Sequence, residues 1–337
     1  MEFQQRQVGN TGLKLDVLGI GTAPLGGNFA ELSYQDGLDI ISTARAGGVS
    51  FADTAPFYGY GRAERVTGDA LRGTNYTLST KVGRLLVPGM IGKSGDNGMF
   101  EPLPFHPVYD YSYDAVMRSF EDSLQRLGLD RIDILLVHDI GEMTHGADNA
   151  RHWADLHGGY KALAELRADG RISAIGMGVN EVKVCRDALQ MGDWDVFLLA
   201  GRYTLLEQNP LADLLPECAA AGTSIIVGGP FNSGILVGRD MFNYSSAPDD
   251  VKAKAKALGD VCADHGVALP AAALQFPLAH PVICSVVPGS RSAAEYTQIL
   301  EWAAADIPAA LWTDLVAAGL VSADAPLPKA NPYREAQ

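Results

Sequence analysis

The feature that most constrains the fold of this chain is an alternation, repeated eight times, of short apolar runs with amphipathic, helix-like segments. In RIDILLVHDI, the clearest run, Ile, Leu and Val follow one another over residues 134–137 without a charge. Continuous apolar runs are typical of strands buried on both faces, as in parallel sheets. Eight strand–helix repeats in one chain predict an α/β fold, a closed (β/α)8 TIM barrel, rather than an open doubly wound sheet. The predicted strands are LGIGT, VSFADTA, YTLSTKVG, RIDILLVHDI, ISAIGMGV, DVFLLAG, TSIIVGG and PVICSVVPG.

Helical patterns and chain length together decide the domain organisation. A length of 337 residues would allow two domains, at about 150 residues each, but α/β barrels often exceed 250 residues as one unit. The sequence contains no interdomain linker, internal repeat or low-complexity tract. We therefore predict a single barrel domain over residues 1–337. The predicted helices cover residues 34–46, 62–71, 160–168, 182–190 and 249–265, with another from about residue 270.

Two segments interrupt the alternation. Residues 7–16 carry turn residues between short apolar pieces and predict an N-terminal β-hairpin, which would plug the N-terminal mouth of the barrel. Residues 81–114 form a long insertion after the third strand, rich in Gly, Pro and aromatic residues. Active sites of such barrels form at the C-terminal face, where this insertion falls. We predict a covering loop at residues 84–113, and whether it closes over a substrate is left open.

Composition limits the partners. Acidic residues outnumber basic ones, 40 to 26, and there is no basic cluster, so we expect no nucleic-acid partner. No stretch of about 18 apolar residues and no secretory leader pattern is present, so we expect no membrane association. The four cysteines lack metal-binding spacing, which predicts reduced thiols, no metal site and a cytoplasmic protein. The expected partner is a small-molecule substrate, and the oligomeric state is left open.

Four polar side chains follow successive predicted strands. Asp53 ends the second strand and Tyr58 follows it, Lys81 ends the third and His138 the fourth. Each alone has an ordinary structural explanation, such as a helix cap or a solvated lysine. Because the carboxyl ends of barrel strands meet at one mouth, their coincidence favours an acid–base site. An ammonium lowers the pKa of a neighbouring phenol, a carboxylate holds the ammonium, and an imidazole orients a substrate oxygen.

Five motifs in this order, DTAPFYG, STKV, LLVHD, GMGVN and VVPGSR, resemble the successive signatures of the aldo-keto reductases over residues 7–299. The resemblance implies that Tyr58 is the general acid/base, that Lys81 lowers its pKa, that Asp53 pairs with Lys81, and that His138 orients the substrate. It also implies a nicotinamide cofactor lying across the barrel mouth. The absence of a G-x-G-x-x-G motif is consistent with a cofactor site outside the Rossmann fold.

The resemblance also implies cofactor contacts, and several positions depart from the family pattern. An aromatic that often stacks on nicotinamide is replaced by Gly228, with Phe231 as a possible substitute, and a frequent carboxamide is replaced by Ala200. Glu295 stands where NADP-preferring members are often basic. A carboxylate there accepts ribose hydroxyls and repels a 2′-phosphate, which predicts NAD over NADP, although Arg291 argues the other way. The implied cofactor contacts are Gly21, Thr22, Asp53, Asn180, Phe231, Ser233, Gly234, Gly289, Ser290, Arg291 and Glu295.

Within the family, KVGRLL, VYDYSYDAVMRSFEDSLQRLG and LLAGRYTLLEQ resemble the branch that contains D-threo-aldose (L-fucose) 1-dehydrogenases. That resemblance implies NAD(P)-dependent oxidation of a sugar at C1 to a lactone. Pyridoxal 4-dehydrogenase and L-galactose dehydrogenase lie near the same branch. The alternatives are pyridoxal oxidation, NADPH-dependent aldehyde reduction and, in a different class, a non-catalytic cofactor-binding regulatory subunit. The four convergent groups argue against mere binding.

Overall fold

A short hairpin covers one end of the barrel in the computed structural model, which describes residues 3–28, 31–89 and 99–334. Strands β1 (Gln5–Gln7) and β2 (Lys14–Asp16) pair antiparallel. Val8 and Leu15 join the buried apolar cluster formed by the strands inside the barrel, and the backbone N–H of Gly9 donates to Ser224 Oγ at 2.8 Å. The predicted hairpin plug is confirmed.

Eight parallel strands form the central sheet of the described chain, in the spatial order of their numbers. The edge strands meet through backbone bonds: Gly19 N–H donates to Val286 O at 2.9 Å, and Val286 N–H to Val17 O at 2.9 Å. These bonds close the sheet, which confirms the (β/α)8 barrel. The strands are β3 (Ile20–Gly21), β4 (Phe51–Asp53), β5 (Thr77–Val82), β8 (Ile134–His138), β9 (Ala174–Val179), β10 (Val196–Ala200), β11 (Ser224–Gly228) and β14 (Ile283–Val287).

Helices surround the barrel: two of the predicted helices have the expected bounds, and three differ by one residue at one end. The sixth differs more, since α5 (Asn149–Ala168) begins well before the predicted start at residue 160. Glycine costs about 1 kcal/mol in a helix relative to alanine, so the pair Gly158–Gly159 favoured a later start. Packing explains Gly159, since a Cβ there would lie 2.2 Å from the carbonyl oxygen of Tyr111. The helices are α1 (Tyr34–Ala46), α2 (Arg62–Leu71), α3 (Tyr113–Leu127), α4 (Glu142–His145), α5 (Asn149–Ala168), α6 (Val182–Met191), α7 (Leu214–Ala221), α8 (Asp249–Asp264), α9 (Leu269–Gln275), α10 (Ala293–Ala304) and α11 (Ala309–Ala317).

The insertion after β5 is more regular than the predicted covering loop. It contains an antiparallel ribbon of β6 (Arg84–Pro88) and β7 (Phe105–Tyr109), while residues 90–98 lie outside the described chain. The chain turns from the barrel into this ribbon at Gly83, where φ is +99° and a Cβ would lie 2.2 Å from the ring of Tyr111. Only glycine tolerates both conditions. The turn sets the start of the ribbon directly above the C-terminal mouth.

Two smaller findings bear on the compositional expectations. No helix among residues 3–28, 31–89 and 99–334 is long and apolar enough to cross a membrane. The four cysteines are all buried and form no disulfide.

Candidate active site

The four predicted acid–base residues lie together at the C-terminal mouth. Asp53 ends β4, Lys81 lies near the end of β5 and His138 ends β8. Tyr58 begins a short 3-10 turn after β4, and the next residue, Gly59, has φ +62° and packs so closely that a Cβ would lie 2.4 Å from Gly26 O. That close approach fixes the turn that brings the phenol over the mouth.

Asp53 and Lys81 form a fully partnered buried ion pair. Lys81 Nζ donates to Asp53 Oδ2 at 2.7 Å and to the carbonyl oxygen of Thr54 at 2.8 Å, and Ser79 Oγ donates to Asp53 Oδ1 at 2.7 Å. Burial alone would lower the pKa of Lys81. The charges of Asp53 and Tyr58 outweigh burial and raise that pKa, so the side chain is held as an ammonium ion.

Tyr58 lies between this ammonium and the imidazole. Lys81 Nζ is 4.8 Å from the centroid of the Tyr58 ring, and the His138 ring stands edge-on to it with centroids 5.9 Å apart. Burial raises the pKa of Tyr58 above its ordinary value, and Lys81 offsets this only in part. Lys81 thus lowers the pKa of Tyr58 as expected, but the net shift is upward, because the loss of water around a buried phenolate outweighs one neighbouring charge.

His138 is a neutral imidazole in this setting. Burial, followed by the charges of Arg84 and Lys81, lowers its pKa well below the ordinary value. Its Nε2 lies 3.5 Å from Asp139 Oδ2, and its Nδ1 is buried without a hydrogen-bond partner among the described residues. The backbone carbonyl of His138 accepts a hydrogen bond from the Tyr111 hydroxyl at 2.8 Å, which fixes the end of the strand.

Asp139 is a site residue that the sequence reasoning missed. Its backbone is left-handed, with φ +44°, and its carboxylate turns back onto the mouth. Arg84 Nη2 donates to Oδ2 at 2.5 Å, and Asn180 Nδ2 donates to Oδ1 at 3.2 Å. The available signal was a second polar residue directly after His138. A strand pattern places alternate residues on opposite faces, so only the left-handed turn brings both side chains to one site.

Arg84 is the second missed residue. It is 5% exposed, and its guanidinium carbon lies 4.2 Å from the ring centroid of Phe57 and 5.3 Å from that of Tyr109. Its Nε is buried without a hydrogen-bond partner among the described residues. The sequence signal was an arginine three positions after Lys81, and its meaning depended on the turn at Gly83.

A cavity of ≈ 720 Å³ opens beside these residues. Asp53 and Tyr58 line it, and so does every implied cofactor contact except Ser290. Ser290 lies next to the lining, with its Oγ buried and without a partner in the described chain, and Thr22 Oγ1 is in the same state. Gly21 also lines the cavity, and a Cβ there would lie 3.0 Å from Val287 O, so the close approach of the neighbouring strand favours glycine. The unpartnered hydroxyls and the size of the cavity fit a dinucleotide.

The amide of Asn180 is oriented by contacts on both of its polar atoms. Its Nδ2 donates to Asp139, and its Oδ1 accepts from the Tyr244 hydroxyl at 3.2 Å. Tyr244 lies in the turn between β12 (Met241–Phe242) and β13 (Ser245–Ser246), with φ +64°. Sequence reasoning missed it because a bulky residue is uncommon in that conformation. Phe231 lines the cavity too, but it packs edge-on against Trp302 with ring centroids 5.7 Å apart.

Glu295 is shared by two arginines. Its carboxylate accepts from Arg291 Nη2 at 2.7 Å, from the Arg291 backbone N–H at 2.8 Å and from Arg239 Nη2 at 3.1 Å. Burial would raise the pKa of Glu295, but Arg291 and Arg239 outweigh it and lower that pKa. Arg291 is among the cofactor contacts predicted from the sequence, whereas Arg239, which folds back from the segment after β11, is not. The three side chains carry a net charge of +1, from two cations and one anion.

Together, the barrel and its site define the class of protein. The C-terminal mouth holds a buried Tyr–Lys–His–Asp set beside a dinucleotide-sized cavity, which is typical of an oxidoreductase. In the described ranges, no group of His, Cys, Asp and Glu is arranged to hold a metal. The Aldo/keto reductase family profile matches residues 17–318. The chain belongs to the aldo/keto reductase family and is an NAD(P)-dependent oxidoreductase.

Similar proteins agree with this assignment. The chain is 44% identical to pyridoxal 4-dehydrogenase of Microbacterium luteolum, covering 95% of this chain and 98% of that one. It is 36% identical to D-threo-aldose 1-dehydrogenase of a Pseudomonas species, covering 92% and 96%. An aldo-keto reductase of Bacillus halodurans in its holo form has the same fold, with a TM-score of 0.75 at 23% identity over 98% of this chain and 100% of that one.

Proposed function

We propose that this enzyme oxidises a cyclic hemiacetal to a lactone, with the hydride passing to a nicotinamide cofactor. The observation that carries the proposal is the buried phenol of Tyr58 beside the Lys81 ammonium and the neutral His138 imidazole. Two candidate substrates share this chemistry. In an aldose, a hydroxyl of the chain adds to C1, and in pyridoxal the 5-hydroxymethyl group adds to the 4-aldehyde. Each substrate therefore forms a cyclic hemiacetal. The relatives named for pyridoxal and for aldoses support both candidates.

Each side chain has a defined part in this reaction. Tyr58, as tyrosinate, accepts the proton of the hemiacetal hydroxyl as the carbon–oxygen double bond forms and the C–H hydride leaves. Lys81 stabilises the tyrosinate, and Asp53 holds Lys81 in place. His138 is neutral, so it can share a hydrogen bond with the same oxygen without competing for the proton. The nicotinamide cofactor, when bound, supplies the hydride acceptor.

The cofactor contacts remain those proposed from the sequence, with Arg239 and Tyr244 added. Gly21, Thr22, Ser290 and the Gly289 backbone would face phosphate and ribose oxygens, while Asn180 would hold the nicotinamide amide with its remaining N–H. We propose a preference for NAD over NADP, because Glu295 occupies the two arginines that would otherwise bind a 2′-phosphate. The proposed setting is a cytoplasmic, single-domain protein acting on a small molecule, in keeping with its unpaired cysteines.

A steady-state assay tests the proposal. NAD and NADP would each be offered with pyridoxal, L-fucose, L-galactose and simple aldehydes, and lactone formation followed alongside the absorbance of the reduced cofactor. We expect oxidation of at least one hemiacetal, with NAD preferred. Turnover confined to NADPH and open-chain aldehydes would favour an aldehyde reductase instead. Tight cofactor binding with no turnover of any substrate would favour a regulatory subunit.

A further inference from the structure

The turn between β12 and β13 carries a residue type that its backbone disfavours. Asn243 and Tyr244 form the two-residue turn of this hairpin, and both have positive φ, +46° and +64°. A hairpin turn with positive φ at both positions is commonly Asn-Gly, since glycine has no Cβ to clash there. A bulky residue persists in this conformation only where its surroundings hold it. The geometry of the turn therefore does not explain a tyrosine, so the contacts of its side chain must.

Tyr244 is held at the cavity through its backbone and through its hydroxyl. Its backbone N–H donates to Ser233 Oγ at 3.1 Å, and its hydroxyl donates to Asn180 Oδ1 at 3.2 Å. Arg202 Nη1 donates to Oδ1 of the neighbouring Asn243 at 2.9 Å, which ties the turn to the segment after β10. Tyr244 lines the cavity and is 56% exposed. Part of its ring is thus open to a ligand in the cavity.

The contacts of Tyr244 place its side chain at the reacting end of the cavity. Asn180, which its hydroxyl contacts, would hold the amide of the nicotinamide. Burial of the hydroxyl, followed by the negative charges of Asp139 and of ionised Tyr58, raises the pKa of Tyr244, so these groups lie within electrostatic reach of one another. A nicotinamide that accepts the hydride has to lie between Asn180 and the reacting phenol of Tyr58. All three side chains line the same cavity.

The other aromatic side chains of the cavity have other partners or another role. In the described chain, the aromatic lining consists of Tyr58, Phe231, Tyr244 and Trp302. Tyr58 carries the reacting hydroxyl, and Phe231 packs edge-on against Trp302, with ring centroids 5.7 Å apart. Gly228, where the family pattern often has an aromatic, provides no side chain. Tyr244 is therefore the aromatic of the described lining that is left for the nicotinamide.

We propose that the ring of Tyr244 packs against the nicotinamide and positions it for hydride transfer, in place of an aromatic at Gly228. This inference rests on the proposed function and assigns one residue of its cofactor site. Contacts between aromatic rings stabilise a complex beyond the apolar area that they bury. The role also accounts for the left-handed backbone, because a glycine there would relax the turn but leave the nicotinamide without an aromatic partner.

Two substitutions and two ligands separate this contact from a structural role. Tyr244→Gly removes the ring and gives the turn the residue that its backbone favours. Tyr244→Phe keeps the ring and removes only the hydroxyl. The ligands are NADH and ADP-ribose, which has the same adenosine and pyrophosphate but no nicotinamide. Isothermal titration calorimetry would give both dissociation constants, and thermal unfolding without ligand would show that each variant is folded. Tyr244→Asn, which also tolerates positive φ, serves as a second variant without the ring.

We expect Tyr244→Gly to weaken NADH binding about 10- to 150-fold. The binding of ADP-ribose should weaken less than about 3-fold, since the ring contacts only the nicotinamide. Tyr244→Phe should weaken NADH binding less than Tyr244→Gly does, because the ring remains.

Two results would overturn the inference. Equal losses of NADH and ADP-ribose binding in Tyr244→Gly would show that the tyrosine supports the turn rather than the nicotinamide. Equal losses of NADH binding in Tyr244→Gly and Tyr244→Phe would show that the hydroxyl alone acts. Neither titration needs a substrate, so the two proposals can fail separately. A protein with the expected binding pattern that oxidises no hemiacetal would refute the proposed function and leave the role of Tyr244 standing.

Discussion

Two buried ion pairs flank the imidazole of His138, and they differ in how completely they are satisfied. In the Asp53–Lys81 pair, both carboxylate oxygens and the ammonium have hydrogen-bond partners within the barrel. In the Arg84–Asp139 pair, both carboxylate oxygens are occupied, but Arg84 Nε has no partner among the described residues. The first, closed pair holds and tunes its neighbours, whereas the second, open pair has one buried guanidinium N–H without a protein partner in the described ranges.

The largest expected effect tests the function of the closed pair, in which Asp53 holds the Lys81 ammonium beside the Tyr58 ring. Tyr58→Phe should lower kcat by at least about 10²–10⁴-fold, because the variant has no group to accept the hydroxyl proton. The dissociation constant for NADH, measured by fluorescence titration, should change little, since only one hydroxyl is removed. A variant that keeps the original kcat would show that another group accepts the proton.

The next test concerns pH and the tuning by Lys81. Tyrosinate is the reactive form in oxidation, and burial raises the pKa of Tyr58. The rate kcat should therefore rise with pH through the alkaline range, with its midpoint above that of a free phenol.

Lys81→Met should move that midpoint further upward or abolish turnover, because the offsetting charge is lost. Asp53→Asn/Lys81→Met is the matched control, since the single variant leaves Asp53 buried without its ammonium. A pH profile that is the same with and without Lys81 would show that the pair only supports the fold.

The comparison of ion pairs extends to the part of the cavity lined by Arg239, Arg291 and Glu295, where one carboxylate accepts hydrogen bonds from two arginines. Glu295→Gln should raise kcat/KM for NADP about 5- to 150-fold, because it frees Arg239 and Arg291 for a 2′-phosphate while keeping the size of the side chain. The value for NAD should change far less. Gln298→Glu, one turn further along α10, is a control for charge placed elsewhere on this wall. Equal use of both cofactors before and after Glu295→Gln would remove Glu295 from the cofactor preference.

The smallest expected effect is at Tyr244. Tyr244→Phe removes the hydroxyl that donates to Asn180 Oδ1. One neutral hydrogen bond contributes about 0.5–1.5 kcal/mol, so NADH should bind about 2- to 10-fold more weakly, with kcat nearly unchanged. Stopped-flow fluorescence would show whether the loss lies in the dissociation rate. An unaltered affinity would mean that Asn180 needs no orientation from the β12–β13 turn.

The sequence alone determined the barrel, its hairpin plug and the closed ion pair. Parallel barrel strands are buried on both faces, so their apolar runs stand out, and the polar residues at their ends, such as Asp53, Lys81 and His138, must meet at one mouth. Strand order along the chain equals strand order in space. Neighbours in the sheet could therefore be inferred without knowing any distance.

Only the tertiary structure decided the open pair, the second arginine on Glu295 and the direction of the Tyr58 pKa. Arg84 reaches the site through the left-handed turn at Gly83, and Asp139 through its own left-handed backbone. The periodicity of hydrophobic residues predicts neither of these conformations. Arg239 and Glu295 are 56 residues apart in sequence. Burial of Tyr58 depends on the packing of the whole mouth, and desolvation there outweighs the single charge that the motif makes visible.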